Sequence, residues 1–331
     1  MLLCLTQMTN PKSGYTNAQW QKALAQSEKR YRMLFENMLD GFAYCKMRYD
    51  DNDHPLDFVY LNVNQAFEQL TGLKKVVGKP VSKIIPGIRE SNPELFEVYD
   101  RVARTGTPEK FELKLAQLDR WFSISVYSPE KGYFVAVFDD VTEHKAQEAQ
   151  IHSLAFYDSL THLPNRRLLL DRHVHAKTMS KRSGFYGAMM FLDLDNFKPL
   201  NDLYGHDVGD LLLQEVALRI SSCVREVDTV ARYGGDEFIV MLCELAADKA
   251  EAISLAGIVA EKIRRILSNS CELKIQHVGK IDKTIEYLCT SSIGVVLFNH
   301  QASTEDIIRW ADIAMYQAKV AGCNSIRFYE S

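Results

Sequence analysis

Two acidic motifs in the C-terminal half of the chain carry residues that could do chemistry. In Phe191-Leu192-Asp193-Leu194-Asp195-Asn196-Phe197, carboxylates stand at the end of an apolar run that reads as a strand. The end of such a strand is where open sheets present ligand sites. Downstream, Arg232-Tyr233-Gly234-Gly235-Asp236-Glu237-Phe238 sets two glycines and two acids between strand-like runs, the pattern of a hairpin turn. Glycine lets backbone approach a ligand closely, and acids beside it are placed to hold a hard cation. If the two strands are neighbours, Asp193 and Asp236 converge on Mg2+, which takes oxygen ligands and keeps phosphates and waters in its shell. Cations held between such acids assist in-line displacement at phosphorus by activating the attacking hydroxyl and stabilising the leaving oxygen. Either motif alone is an ordinary strand end or turn; together they point to nucleotidyl transfer.

The elements that must position these residues follow from periodicity. After Asp158 the pattern predicts strands at Ala188–Leu194, Thr229–Tyr233, Glu237–Leu242 and Ser325–Tyr329, and helices at Gly209–Val224, Asp248–Asn269 and Thr304–Ala321. A hairpin is predicted over about Glu272–Phe298. Such alternation implies a mixed sheet with helices packed on it. Upstream, Trp20, Leu24, Tyr31, Leu34 and Phe35 recur near helical spacing and predict a helix from Asn17 to about Met38. Strand patterns follow at Gly41–Met47 and Asp57–Asn62, then a helix at Asn64–Leu70, then strands at Lys110–Leu118, Trp121–Ser128 and Tyr133–Asp139. That order is an antiparallel sheet with short helices inserted. Between Thr142 and Tyr157 the chain is polar and helix-prone, with Ile151, Leu154 and Ala155 as a narrow apolar stripe. This connector reads either as a solvated spacer or as a two-helix seam.

Composition bounds the answer. A chain of 331 residues, 47% hydrophobic and 25% charged, suits two globular domains. The net charge of -4 gives no general attraction to nucleic acid polymers or anionic membranes, so an anionic ligand must be held locally. Seven cysteines without a C-x-x-C pair read as reduced, mostly buried thiols rather than a disulfide framework. No stretch approaches the roughly 20 apolar residues of a membrane span. Met1-Leu2-Leu3-Cys4-Leu5 lacks the basic and cleavage features of a signal peptide, so a cytoplasmic location is expected.

Residues 158–331 resemble the GGDEF family along their whole length, from Asp158-Ser159-Leu160-Thr161-His162-Leu163-Pro164-Asn165-Arg166-Arg167 through the intact Gly234-Gly235-Asp236-Glu237-Phe238 signature. The resemblance implies a diguanylate cyclase that condenses two GTP into cyclic di-GMP and two diphosphates, working as a homodimer because each domain binds one GTP. It implies metal ligands at Asp193, the Leu194 carbonyl and Asp236, with Glu237 as a further catalytic acid, and Mg2+ or alternatively Mn2+ as the cofactor. Phosphate contacts fall on Lys198, Lys319 and the backbone N–H groups near Asn196 and Phe197, with Arg232, Gly234 and Gly235 lining the substrate site. Guanine recognition falls on Asn201 and Asp210, with His206 supporting that loop. Arg225 and Asp228 match an R-x-x-D site that binds the cyclic product and inhibits. Cys323 stands where the family usually carries an arginine, and the segment Cys271–Tyr287 is longer than the family leads one to expect. A degenerate receptor for GTP or cyclic di-GMP, and a cyclase making another cyclic product, are the competing readings.

Residues 27–142 resemble the PAS family, down to the closing Asp140-Val141-Thr142. The expected organisation is a lead-in helix at 1–26, a PAS-like sensor at 27–142, a helical linker at 143–157 and the GGDEF domain at 158–331. The fold class expected is mixed α+β and α/β: a PAS-like antiparallel sheet with short helices, then a mixed sheet flanked by helices. The PAS part reads either as a pocket for an unidentified ligand or as a ligand-free dimerisation module. His54, His173 and His175 form no metal set.

Overall fold

The computed structural model describes residues 17–275 and 283–330, and the chain divides into two compact units, Met1–Glu148 and Ala149–Ser331. The first unit opens with α1 (Asn17–Glu36), then β1 (Gly41–Tyr49) and β2 (Pro55–Val63). Four helices follow, α2 (Gln65–Thr71), α3 (Val81–Ile84), α4 (Ile88–Ser91) and α5 (Pro93–Thr105), and then β3 (Glu109–Leu115), β4 (Arg120–Tyr127) and β5 (Tyr133–Asp140). The strands form one antiparallel sheet in the order β2-β1-β5-β4-β3. Period-two burial explains the pairing: Ala43, Cys45 and Met47 of β1 face the core with Phe122, Ile124 and Val126 of β4. α5 starts with Pro93 in its first turn and ends at Gly106, whose φ of 75 is the left-handed stop glycine tolerates. It lays Leu95, Phe96, Tyr99, Val102 and Ala103 on the sheet. There Phe58 meets Phe96, Tyr99 and Phe134 with ring centroids 5.7, 5.5 and 5.3 Å away. Asn64 fastens α2 to β1, its Oδ1 accepting from the N–H groups of Phe42 and Phe67, each at 2.9 Å.

α6 (Thr142–Phe156) connects the units and buries none of its residues. The second unit contains α7 (Arg166–Ser183), β6 (Tyr186–Asp195), α8 (Phe197–Tyr204), α9 (His206–Ser221), β7 (Thr229–Gly234) and β8 (Glu237–Ala246). After these come α10 (Lys249–Leu267), β9 (Cys271–Ile275), β10 (Lys283–Tyr287), β11 (Thr290–Phe298), α11 (Thr304–Val320) and β12 (Ile326–Phe328). Its main sheet runs β12-β11-β6-β8-β7, with only the β11–β12 pair parallel. The central strand β6 is buried on both faces, which is why it is a continuous apolar run. Met190, Leu192 and Leu194 pack with α9 and α10, whereas Met189 and Phe191 pack with α7 and α11.

Three elements differ from the sequence expectation, one of them α8, which no predicted helix covered. The predicted Glu272–Phe298 hairpin is divided: β9 and β10 pair in a separate two-stranded sheet, while β11 joins the main sheet beside β6. The run Ile293 to Val296 is buried on both faces, and an interior place satisfies it as a hairpin arm could not. Residues 276–282 lie outside the described residues. α7 was not anticipated, because the polar Arg166–Ser183 stretch buries only Leu169, His173 and Ser180. Among the described residues no helix is long and apolar enough to cross a membrane.

Gly294 brings α11 onto the sheet. A Cβ there would collide with the Ala311 carbonyl and the Met315 N–H of the helix backbone. Gly294→Ala is therefore expected to lose roughly 1–3 kcal/mol of stability, the usual penalty of overpacking, read as a lower midpoint in chemical denaturation of the full chain.

Candidate active site

β6 delivers Asp193 and Asp195 from its buried interior to its end, two residues apart and therefore on one face of the sheet. That face is the one covered by α11. Asp193 is only 7% exposed, and the Lys319 ammonium of α11 lies 2.6 Å from its Oδ1. That ammonium is the charged partner of the buried oxygen. Burial, then the nearby Asp236, pushes the Asp193 carboxyl up from its ordinary range, against the pull of Lys319. Burial opposes the Lys319 charge in turn, yet Asp193, Asp236 and Asp195 hold the ammonium above its usual value.

The Gly-Gly motif forms the expected turn between β7 and β8, and the register sets Glu237 directly opposite Asp193. Gly235 has φ 52, a left-handed conformation that glycine adopts without strain. The Leu194 N–H donates to the Asp236 carbonyl at 3.3 Å, which ties the turn to the end of β6. Burial first, then Asp193, Asp312 and Asp236, raises the Glu237 carboxyl above its ordinary range. Arg232, assigned from sequence to the substrate site, spends its guanidinium on the protein. It donates to the Gly235 carbonyl at 3.0 and 2.8 Å and to the Asp158 carboxylate at 3.1 and 3.2 Å. Burial opposes charge on Asp158, but hydrogen bonds from Thr161 and Arg232 hold its carboxyl low. Arg232 thus clamps the turn to the segment that opens the unit.

Beyond β6 the chain turns through Asn196 (φ 62) into α8, whose N-terminus carries no side-chain cap. Its first-turn N–H groups are left for an outside acceptor, and Pro199 sits where its missing N–H costs nothing. Lys198 is exposed beside them. Asn201 projects from α8 toward α9, where a Cβ at Gly209 would collide with its Oδ1. That buried oxygen has no hydrogen-bond partner among the described residues. Asp210 and His206 are exposed in the first turns of α9.

Asp195 was passed over as a site residue, although its period-two relation to Asp193 marks it. Its carboxylate accepts from Thr290 Oγ1 at 2.7 Å, Ser292 Oγ at 2.8 Å and the Asn324 N–H at 3.0 Å. It thereby clips the loop after α11, where Gly322, Cys323 and Asn324 all have positive φ, to β6 and β11. Arg225 and Asp228 lie apart, at the start of β7. Arg225 is exposed, while Asp228 accepts from the Arg225 N–H at 3.0 Å and the Cys243 N–H at 3.1 Å.

Among the described residues no group of three or more His, Cys, Asp or Glu forms a ready metal cage. Two carboxylates and a carbonyl suit Mg2+, which is usually bound by one or two carboxylates and completed by substrate phosphates. A central strand thus ends on a desolvated acid, beside a glycine hairpin of acids and a lysine. Residues 155–325 match the family model described as diguanylate cyclase, GGDEF domain, and residues 29–104 match that of the PAS domain. The chain belongs to the GGDEF family and carries a PAS domain ahead of the GGDEF domain.

The chain is 41% identical over 183 residues to the bifunctional diguanylate cyclase/cyclic di-GMP phosphodiesterase MucR of Pseudomonas aeruginosa, covering 55% of this chain and 24% of that protein. It is 38% identical over 183 residues to diguanylate cyclase A of Treponema denticola, covering 54% and 45%. The solved GGDEF domain of YfiN from Pseudomonas aeruginosa is 35% identical, with a TM-score of 0.45, over 53% of this chain and 94% of that one. The chain spans less than half the length of these two curated relatives.

An acid whose folded pKa lies above its unfolded value weakens folding as pH rises through that window. Glu237 is such an acid, with an ordinary value of 4.5. Glu237→Gln is therefore expected to raise the melting temperature at pH 7, with the gain vanishing as pH falls below about 4.5. Calorimetry across that range checks it; a variant less stable at pH 7 would contradict the assignment.

Proposed function

We propose that the protein is a diguanylate cyclase, condensing two GTP into cyclic di-GMP and two diphosphates under control of its PAS unit. The observation that carries this reading is the buried Asp193 carboxylate, paired at Oδ1 with the Lys319 ammonium, set opposite Glu237 and beside Asp236. Mg2+, or alternatively Mn2+, would be held by Asp193, Asp236 and the Leu194 carbonyl, where it supplies charge neutralisation on the phosphates and acidifies the attacking hydroxyl. Lys319 and Lys198 add positive charge for the triphosphate, and the open N-terminus of α8 offers the N–H groups of Phe197 and Lys198. Gly234 and Gly235 keep the turn free of side chains over the substrate, while Arg232 holds its shape. Asn201 presents an unpaired buried oxygen and Asp210 a carboxylate, which together suit the N–H donors of guanine. Adenine would leave such groups unpaired. His206 supports this loop from the first turn of α9.

Each 3'-hydroxyl loses its proton and bonds to the α-phosphorus of the other nucleotide as that phosphorus's bond to the oxygen of the β-phosphate breaks and diphosphate leaves. Each unit supplies half of that geometry, so a homodimer follows, and its alignment is what a sensor can regulate. Arg225, exposed above Asp228, is assigned to product inhibition. The domain boundaries of this reading are 27–142 for the sensor and 158–331 for the cyclase, in a cytoplasmic protein. One observation favours a non-catalytic receptor: Cys323 replaces the family's arginine, leaving Lys319, already engaged with Asp193, as the nearby cation.

Purified protein incubated with GTP and Mg2+ should yield cyclic di-GMP by mass spectrometry, and the signal should vanish in Asp236→Ala and Glu237→Ala. Folded protein that binds GTP yet makes no product would favour the receptor. In the same assay, Gly209→Ala should displace Asn201 and raise KM for GTP about tenfold, the equivalent of one lost hydrogen bond, with kcat changed much less.

A further inference from the structure

The segment Cys271–Tyr287, to which the sequence assigned no role, ends beside the turn that leads from β6 into α8. Tyr287 closes β10 opposite Cys271, at the base of the β9–β10 pair. That base is anchored. Cys271, Leu273 and Ile285 are buried in the core shared with α9 and α10, and the Ser270 hydroxyl donates to Glu286 Oε1 at 2.7 Å. The Arg219 guanidinium of α9 donates to the Asn269 carbonyl at 2.7 Å and to the Ser270 carbonyl at 2.9 Å. From this base the half-buried Tyr287 ring packs against the core, and its hydroxyl donates to the Asn196 carbonyl at 3.2 Å. Further along the same stretch, the Thr290 hydroxyl donates to Asp195 at 2.7 Å. Two consecutive residues at the end of β6 are thus held by side chains from one crossing between β10 and β11.

We propose that Tyr287 is a positioning residue for the triphosphate, its hydroxyl fixing the Asn196–Phe197 peptide so that the Phe197 N–H is aimed at phosphate; the identity of that phosphate as GTP's rests on the cyclase reading above. The physical basis is peptide planarity. The Asn196 carbonyl and the Phe197 N–H belong to one rigid trans peptide and point to opposite sides of it, so a donor that holds the oxygen also aims the N–H. Asn196 needs such a hold. Its φ of 62 is a left-handed conformation that is costly for residues other than glycine, and its own side chain makes no capping bond to α8. Among the described residues, Tyr287 is the one side chain that hydrogen-bonds the backbone of Asn196, Phe197 or Lys198. Donation to the carbonyl also polarises the peptide, which strengthens its N–H as a donor to an anion. Burial first, then Cys289 and Tyr204, raises the Tyr287 phenol above its ordinary value, so it stays a neutral donor at neutral pH. Packing of the hairpin base is the work of the ring, and only the hydroxyl reaches the turn. Removing that hydroxyl therefore separates positioning from packing.

The test compares Tyr287→Phe with the wild type as full chains, by GTP turnover and by calorimetric binding of 3'-deoxy-GTP with Mg2+. This analogue keeps the base and the triphosphate but lacks the attacking hydroxyl, so it binds without reacting. Losing the aim of one charge-assisted hydrogen bond should raise both KM for GTP and Kd for the analogue about five- to tenfold, with kcat changed much less and the melting temperature unchanged. Glu286→Gln alters the same hairpin base without touching Asn196 and should leave KM and Kd as they are. Equal KM and Kd in Tyr287→Phe would overturn the proposal. So would a fall in kcat or melting temperature at unchanged KM, the mark of a merely structural residue, or a Glu286→Gln effect as large as that of Tyr287→Phe. Wild-type protein that binds the analogue yet makes no cyclic di-GMP would defeat the cyclase reading alone, and the Kd comparison would still decide the role of Tyr287.

Discussion

A carboxylate taken out of water at the end of a doubly covered strand is the constraint around which the C-terminal unit is organised. β6 is buried along its length, so Asp193 leaves the core at a point where water reaches it poorly. Removing an ionised acid from water is costly unless it is paired. The pairing comes from Lys319, near the end of α11, and so depends on how closely that helix approaches the sheet. Gly294 permits the approach by presenting no side chain to the helix backbone. The Asp193 charge, the α11 position and the glycine are therefore one dependency. Lys319 relieves Asp193 only in part, since its carboxyl remains raised. A site left in that condition gains most from a ligand that brings further positive charge.

Two polar clips give the site its shape, and both work through backbone. Asp195 holds the loop after α11, and Arg232 holds the Gly235 carbonyl. Asp195 is 4% exposed and accepts from Thr290, Ser292 and Asn324, so it behaves as a framework acid although it shares a face with Asp193. Two acids of one short motif thus have different surroundings: Asp195 is held by framework donors, whereas Asp193 faces Lys319, Asp236 and Glu237. The distinction comes from the neighbouring donors on β11, which pair with β6 far from it in sequence.

That is also where reading the sequence stops. β6, the Gly-Gly turn and α11 were legible because their signals are local: an apolar run, a turn dipeptide, a helical period. The first sheet's strands were legible along the chain for the same reason, whereas their order in the sheet, with β1 beside β5, rests on distant pairing. α7 was missed because its surface is polar and few of its residues are buried, and the Glu272–Phe298 region was misjudged because a hairpin and a central strand look alike over a short apolar run. The hold of Arg232 on Asp158 has no local signal, since the partner is 74 positions away. Asn201 could be named by resemblance, but the reason for Gly209 beside it appears only when α8 and α9 pack.

The connecting helix poses a different physical problem. α6 buries none of its residues, and an isolated helix of that length is marginal in water. Its ends supply what its faces do not. At its start the Thr142 Oγ1 accepts from the Trp121 N–H at 2.8 Å, and Lys145 pairs with Glu112 at 2.7 Å. At its end Asn165 donates through Nδ2 to the Ala155 carbonyl at 3.0 Å and through its N–H to the Phe156 carbonyl at 2.9 Å. Each end is therefore fastened to the unit it adjoins, while Ile151 and Leu154 between them stay exposed. A helix held by its ends and free along its length is a segment whose order is set by its attachments. Trp121 on β4 holds the start of α6 at two points, its N–H donating to the Thr142 Oγ1 and its carbonyl accepting from the Val141 N–H at 2.8 Å.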